Sequence, residues 1–194
     1  DHALWPQITT RLYIDQTGDV DILNREVPYF KDRQVMRGEA FDPEWSEEEG
    51  ALQRAAGGEV YRGSILEHLL IQQLAAFYDV GEHNIYRLRG ADWNDALDMA
   101  EERGESVAFT CAYAGNLLDL AGLLRQLAEG QDTVELLAEL QELLVDGPEV
   151  YEDISHKTAV LERYARRCIH EVSGQTITVS LAALAENLEG KAHW

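Results

Sequence analysis

The chain has 194 residues, and 45% of them are hydrophobic, so it is long enough for one compact domain with a substantial core. Its formal net charge is -20, from 36 acidic against 16 basic side chains. This charge argues against nucleic acid and anionic membranes as partners, because both would be repelled from most of the surface.

The first third of the chain predicts two helices followed by a long loop region. A helix from about His2 to Gln16 places apolar side chains on one face, namely Leu4, Ile8, Leu12 and Tyr13. A short helix over Asp19 to Leu23 follows. From Val27 to Gly58 the sequence is irregular and acidic, which is typical of a functional or solvated loop.

A strongly apolar helix is predicted next. Ser64 and Glu67 form a capping box, and the apolar pattern continues to Gly81, so most sides of this helix should be buried. Tyr61 and Arg62 stand just ahead of it. They either project into a binding site or belong to an ordinary turn.

Between Gly90 and Leu97 the chain reads Gly-Ala-Asp-Trp-Asn-Asp-Ala-Leu. A sugar ring packs its C–H faces on an aromatic side chain and needs hydrogen bonds for its hydroxyls. The motif supplies both through these residues: Asp92, Trp93, Asn94 and Asp95. It is the best candidate for a reaction centre, although Asp92 alone would also serve as a helix N-cap.

The remainder of the chain again predicts helices, and no stretch alternates strictly enough to predict a strand, so the predicted fold class is all-α. A long helix begins near Val107, and Asp132 is expected to cap the next one. The two last predicted helices run from His156 to Val172, ended by Gly174, and from Val179 to Ala192. Periodicity alone fits either a bundle or a toroid of helical hairpins.

Cysteine and histidine usage predicts neither a disulfide nor a metal site. Cys111 and Cys168 lie in apolar helical context and are expected to be buried in a reducing, cytoplasmic compartment. No His/Cys cluster has the spacing of metal ligands. His68 is expected to be a hydrogen-bonded core histidine.

The sequence predicts neither a membrane span nor a signal peptide. No run approaches 18 apolar residues, and the N-terminus lacks the features of a signal peptide.

The ordered set of motifs resembles glycoside hydrolase family 94, the inverting disaccharide and oligosaccharide phosphorylases such as the cellobiose, laminaribiose, chitobiose and 1,2-β-oligoglucan enzymes. The resemblance is dense over the first 125 residues. It rests on the Asp-Trp-Asn-Asp motif and on further matches in order, namely Asp1–Trp5, Thr17–Asp19, Val27–Tyr29, Ser64–His68, Gly81–His83 and Gly104–Val107.

The resemblance implies an (α/α)6 catalytic toroid in which Asp95 is the general acid and Trp93 lines the sugar site. Asp92 and Asn94 would support the substrate, with Arg62 and Tyr61 as further contacts. No metal or organic cofactor is implied. Inorganic phosphate is the co-substrate, and because it is already an anionic nucleophile, it replaces the base-activated water of an inverting hydrolase. The implied partners are a β-linked glucosyl disaccharide or oligosaccharide, with a homodimer as one arrangement.

The chain also departs from the family pattern. The upstream Arg and Asp and the downstream His and Thr-Gly elements of the family have no counterpart, so residues 1–194 are expected to be one segment of the catalytic domain, truncated at both ends. Its partner would be the remainder of the parent enzyme, and the isolated segment is expected to be inactive. Two alternatives stay open: a non-catalytic helical domain for carbohydrate binding or assembly, and an inverting hydrolase whose second carboxylate would come from Glu59, Glu67, Glu82 or Glu105.

Overall fold

A computed structural model describes residues 3–35, 40–89, 100 and 102–194. Helices form the majority of it. The α-helices are α1 (Leu4–Thr17), α2 (Ile65–Tyr78), α3 (Val107–Leu127), α4 (Pro148–Glu152), α5 (Ile154–Cys168) and α6 (Leu181–His193). The 3-10 segments are Val20–Asn24, Glu47–Glu49 and Ala138–Leu144.

The core forms where α3 packs along α6, with α1 and α2 against α3 and with α5 against α2. Fully buried leucines from α2, α3 and α6 fill this space, among them Leu70, Leu74, Leu120, Leu124, Leu184 and Leu188. Burying such side chains stabilises the fold by about 1.5–3 kcal/mol each before entropy is counted.

α3 is also long and apolar enough, by length and composition alone, to cross a membrane. One side of it packs instead against α1, α2 and α6.

Two helix starts were predicted correctly, that of α2 from its capping residue and that of α3 from the apolar pattern near Val107. The Ser64 hydroxyl accepts a hydrogen bond from the Glu67 backbone N–H at 3.1 Å. Likewise, the Ser106 hydroxyl accepts one from the Phe109 N–H at 3.2 Å. Each bond satisfies a donor that the first helical turn leaves unpaired. α2 is indeed buried on most sides, and it ends at Tyr78, before Gly81.

The all-α prediction holds only for the helical majority, because the described residues also form three small antiparallel sheets. They pair β1 (Glu26–Pro28) with β4 (Arg62–Ser64), β2 (Gln34–Val35) with β3 (Ala40–Phe41), and β5 (Thr133–Leu137) with β6 (Thr176–Ser180). In the largest sheet Thr133 lies opposite Ser180 and Leu137 lies opposite Thr176.

The helix predicted after Asp132 is wrong. Residues 133–137 form β5, and only the 3-10 segment Ala138–Leu144 follows. Val134 and Leu136 are buried while Thr133 and Glu135 are exposed, which is a strand's alternation. The preference of a short apolar run for helix or strand is weak, and pairing with β6 decides it here.

The boundaries of the last two helices also differ from the prediction. α5 ends at Cys168, and Gly174, with φ 72°, lies in the following connection rather than at a helix end. α6 begins at Leu181 because Ser180 caps it, its hydroxyl accepting from the Ala183 N–H. Residues 176–180 form strand β6, which pairs with β5, rather than part of the helix.

The predicted apolar face of α1 is correct for Leu4 and wrong for its other three residues. Ile8, Leu12 and Tyr13 are exposed, whereas the inward stripe is Leu4, Gln7 and Ile14. Hydrogen bonds at the start of α1 help to fix this rotation: Gln73 Nε2 donates to the Ala3 carbonyl at 2.8 Å, and Asn116 Nδ2 donates to the Leu4 carbonyl at 3.3 Å.

The predicted burial of the two cysteines also differs from the structure: Cys111 is exposed rather than buried, and Cys168 is half-buried.

Candidate functional site

Asp92, Trp93, Asn94 and Asp95 lie outside the described residues. The structure does describe both flanks of the motif, residues 79–89 on one side and residues 102–107 on the other. These two flanks form the frame that carries the motif.

The two flanks are hydrogen-bonded to each other as a short antiparallel ladder. The Leu88 N–H donates to the Gly104 carbonyl at 2.9 Å, and the Ser106 N–H donates to the Tyr86 carbonyl at 2.9 Å. Arg87 lies opposite Glu105 in the same ladder. Leu88 and Gly104, which lie on either side of the motif in the sequence, are thus neighbours directly before the first turn of α3.

Arg89 and Asp79 form a buried ion pair at the entry to the motif. Arg89 donates through Nη2 to Asp79 Oδ1 at 2.7 Å and through Nε to Asp79 Oδ2 at 3.1 Å. The Asp79 side chain is 2% exposed. Such a two-point contact fixes orientation as well as position. Arg89 also has φ 56°, a conformation uncommon outside glycine, so tertiary contacts hold the backbone next to Gly90.

Glu105 braces the other flank. Its carboxylate accepts from the His83 backbone N–H at 2.9 Å and lies 2.7 Å from His83 Nδ1. Gly81 allows this approach, since a Cβ there would come within 2.1 Å of Glu105 Oε1. His83 is therefore a partner of Glu105 at the surface, and the carboxylate is already bound within the frame.

Tyr61 directly precedes β4 and Arg62 is its first residue, and their side chains point in different directions. The Tyr61 hydroxyl turns inward and lies 3.1 and 3.2 Å from the two carboxylate oxygens of Glu67. Arg62 is exposed, and its Nη2 donates to the Glu26 carbonyl at 3.0 Å. A sugar contact by either residue stays a prediction.

Glu67 is the centre of a hydrogen-bonded group that we call the Glu67 cluster, with Tyr29, Tyr61 and the Leu137 backbone N–H. Besides the Tyr61 contacts, its carboxylate accepts from the Tyr29 hydroxyl at 2.7 Å and from the Leu137 N–H at 2.6 Å. Burial raises the pKa of Glu67, and these three donors oppose that rise. Their number indicates a structural carboxylate that ties α2 to β5.

His68, the neighbour of Glu67 on α2, is a hydrogen-bonded histidine, half-buried. Its Nε2 lies 3.2 Å from the Val27 carbonyl oxygen, and its ring stacks on Tyr29 with centroids 3.6 Å apart. Burial lowers its pKa. This packing supports the predicted structural role.

The remaining candidate carboxylates are at the surface. Glu59 is exposed, and Glu82 forms an exposed ion pair with Arg103. No group of three His, Cys, Asp or Glu side chains converges on a metal-sized point within the described ranges. Of the four carboxylates proposed for a hydrolase, Glu67, Glu82 and Glu105 are thus already bound by other groups of the protein.

The Arg89–Asp79 pair was missed by sequence reasoning, although it borders the motif. Asp79 reads as the end of a helix and Arg89 as part of a connector. The available signal was the pair of opposite charges at the two ends of a ten-residue connection. Pairing across such a turn depends on its backbone path, which charge spacing alone does not supply.

Comparison with known proteins gives one distant relative. The chain is 28% identical over 142 residues to a solabiose phosphorylase from Paenibacillus borealis. The match covers 72% of this chain but 15% of that protein's length. A stretch covering that share of the chain necessarily includes its middle, and so residues 92–95. No protein-family model matches the chain.

Proposed function

We propose that this chain is the acid-bearing segment of an inverting glycoside phosphorylase with an (α/α)6 catalytic domain. The observation that carries the proposal is the likeness to solabiose phosphorylase across the stretch that contains the Asp-Trp-Asn-Asp motif. The helical majority of the fold is compatible with it. Because the chain spans only 15% of that relative, the activity belongs to the whole protein rather than to this segment.

In this proposal Asp95 donates its proton to the glycosidic oxygen of a β-linked disaccharide or oligosaccharide. Inorganic phosphate attacks the anomeric carbon from the opposite face, the C–O bond to the leaving sugar breaks, and an α-sugar 1-phosphate forms. Trp93 packs against the sugar, and Asp92 and Asn94 hydrogen-bond to it. An acid of this kind must be protonated near neutral pH, which requires burial or nearby negative charge.

The flanking frame supports this assignment mechanically. General acid catalysis requires the proton to lie within hydrogen-bond reach of the leaving oxygen. The ladder between Leu88 and Gly104 and the buried Arg89–Asp79 pair fix the two points at which the chain enters and leaves the motif. The acid would therefore be carried between fixed supports, next to the start of α3.

The test uses the protein at its natural length, with solabiose, cellobiose, laminaribiose and sophorose as substrates. We expect release of sugar 1-phosphate that depends on added phosphate. Asp95→Asn should lower the rate at least about 100-fold while leaving the circular dichroism spectrum unchanged. Asp92→Asn is the matched control, with the same chemical change three residues away and a smaller expected loss.

Other outcomes would point elsewhere. Sugar release that does not need phosphate would favour the hydrolase, and sugar binding without turnover would favour the non-catalytic domain. Full activity of Asp95→Asn would remove Asp95 from the acid's role. The homodimer and the cytoplasmic location remain predictions, for which sedimentation and cell fractionation are the direct measurements.

A further inference from the structure

An apolar cavity of about 170 Å³ lies between α2, α3, α5 and α6. Its walls include the rings of Phe77, Tyr113 and Trp194. Cys111 also lines it and is exposed, so the cavity reaches the surface on that side. An enclosed space of about 150 Å³ accommodates a benzene ring. This cavity therefore has room for one flat ring with a small substituent.

Lys157 brings a charged group to the cavity wall although its residue is only 1% exposed. Its Nζ donates to Asn84 Oδ1 at 3.0 Å. The same nitrogen lies 4.0 Å from the Phe77 ring centroid and 4.0 Å from the Trp194 ring centroid. Lys157 lines the cavity together with Asn84, Phe77 and Trp194, the three residues that its Nζ contacts.

The hydrogen-bonding capacity of Lys157 is incompletely used. An ammonium has three donors, and within the described part of the chain the oxygen of Asn84 is the acceptor for one of them. Lys191 also lines the cavity but differs, since its Nζ donates to the Val145 carbonyl and to Asn187 Oδ1, both at 2.8 Å. No carboxylate among the described residues lies within ion-pair distance of Lys157 Nζ.

A buried cation without an anionic partner is unfavourable, because its lost hydration is not repaid. Burial, together with the charge of Lys191, lowers the pKa of Lys157 to about 7. The aromatic rings offset part of this desolvation cost through cation–π attraction. An anion in the cavity would stabilise the ammonium more than the rings do, since it would supply both an opposite charge and hydrogen-bond acceptors.

We propose that this cavity binds a small carboxylate with a flat apolar body, of the size of benzoate, and that its carboxylate pairs with the Lys157 ammonium. The aromatic walls would contact the ring, and Asn84 would keep the ammonium in place. This proposal does not depend on the proposed phosphorolysis.

The first experiment compares two ligands of equal size. Benzoate and benzamide are titrated into the natural-length protein by calorimetry near pH 6, where Lys157 is mostly protonated. We expect benzoate to bind at least about tenfold more tightly than benzamide, because only benzoate offers a charge to the ammonium. Equal affinities of the two, or binding of neither, would overturn the proposal.

The second experiment changes the lysine. Lys157→Met keeps the length and apolar stem but removes the charge, and it should weaken benzoate binding at least about tenfold while changing benzamide binding little. Lys191→Met is the matched control, since its nitrogen is already bound by Val145 and Asn187, and it should leave a preference for benzoate. Undiminished benzoate binding by Lys157→Met would rule out the proposed pair.

The third measurement locates the ligand and does not depend on any variant folding. Because Cys111 is exposed and lines the cavity, bound benzoate should slow its alkylation by a thiol reagent, in proportion to occupancy. Cys168 serves as an internal reference: burial raises the pKa of its thiol to about 12, so it should react slowly with or without ligand. Saturable benzoate binding with no protection of Cys111 would place the ligand elsewhere.

Discussion

The Glu67 cluster and the Lys157 cavity each bury a charged side chain in the first turn of a helix, but they differ in the partners that surround that charge. Glu67 is the third residue of α2 and accepts hydrogen bonds from three groups. Lys157 is the fourth residue of α5 and has one hydrogen-bond acceptor in the described structure, with two aromatic rings. The first charge is enclosed by partners, whereas the second faces a cavity.

The helix dipole adds to this difference. Unpaired N–H groups make the start of a helix electropositive, which stabilises an anion there and destabilises a cation. Glu67 therefore gains from its place at the start of α2, and Lys157 loses from its place at the start of α5. A buried charge whose desolvation is opposed by three hydrogen-bond donors and by the helix dipole indicates architecture. One that is unfavourable on several counts indicates a site for something else.

The largest expected effect comes from removing the acceptor in the Glu67 cluster. Glu67→Leu would leave the Leu137 N–H and two tyrosine hydroxyls buried without a partner, and we expect a loss of about 3–5 kcal/mol in the free energy of unfolding. Urea titration followed by circular dichroism measures it. Glu67→Gln keeps one acceptor oxygen and should lose less. A Leu variant as stable as the native protein would show that the cluster is not structural.

The opposite sign is expected in the Lys157 cavity. Lys157→Met should raise the free energy of unfolding by about 1–2 kcal/mol near pH 6, because an apolar side chain replaces an unpaired buried charge. The lysine releases its proton near pH 7 when folded and near 10.5 when unfolded, so the unfolded chain holds more protons between these values. The stability of the native protein should therefore rise across that window through this group.

The difference between Lys157→Met and the native protein should accordingly shrink as the pH is raised toward 10. Urea titrations at three pH values give the measurement. Lys31→Met is a useful comparison, because Lys31 is paired with Asp42 at 2.9 Å and its loss should destabilise the protein instead. A stability gap between Lys157→Met and native that does not change with pH would contradict the assigned titration.

The smallest effects should be equal in the two regions. Ser64 caps the helix that carries Glu67, and Asp153 caps the helix that carries Lys157, its carboxylate accepting from the His156 N–H at 3.1 Å. Ser64→Ala and Asp153→Ala should each cost about 1 kcal/mol. A much larger loss for Ser64→Ala alone would mean that the Glu67 cluster depends on the exact start of α2.

Local signals in the sequence predicted the helix starts well. The Ser64 cap acts within three residues, so the local pattern contains all the information required. Asp132 carried the same kind of signal, yet β5 follows it, because its partner strand β6 lies some 40 residues further along the chain. Charge at the core was the hardest feature to predict. Lys157 is buried by rings from α2 and from the end of the chain, and no spacing rule connects them.

The Asp-Trp-Asn-Asp motif was recognised by chemistry and resemblance. The frame around it needed coordinates, because the contact between Asp79 and Arg89 and the fit of Glu105 over Gly81 depend on backbone conformation. The predicted roles of Asp95, Trp93, Asp92 and Asn94 await the enzymatic tests above.

The pairing of β5 with β6 has a consequence for how this chain can be cut and rebuilt. The Ala138 N–H donates to the Gln175 carbonyl at 2.9 Å, so residues 138–175 leave the sheet and return to it at one point. A protease nick within that excursion would leave its two halves still joined to the body through β5 and β6. The register of β5 and β6 therefore does not depend on the length of the excursion, whereas the core does, because Leu140, Leu143 and Val160 lie within residues 138–175.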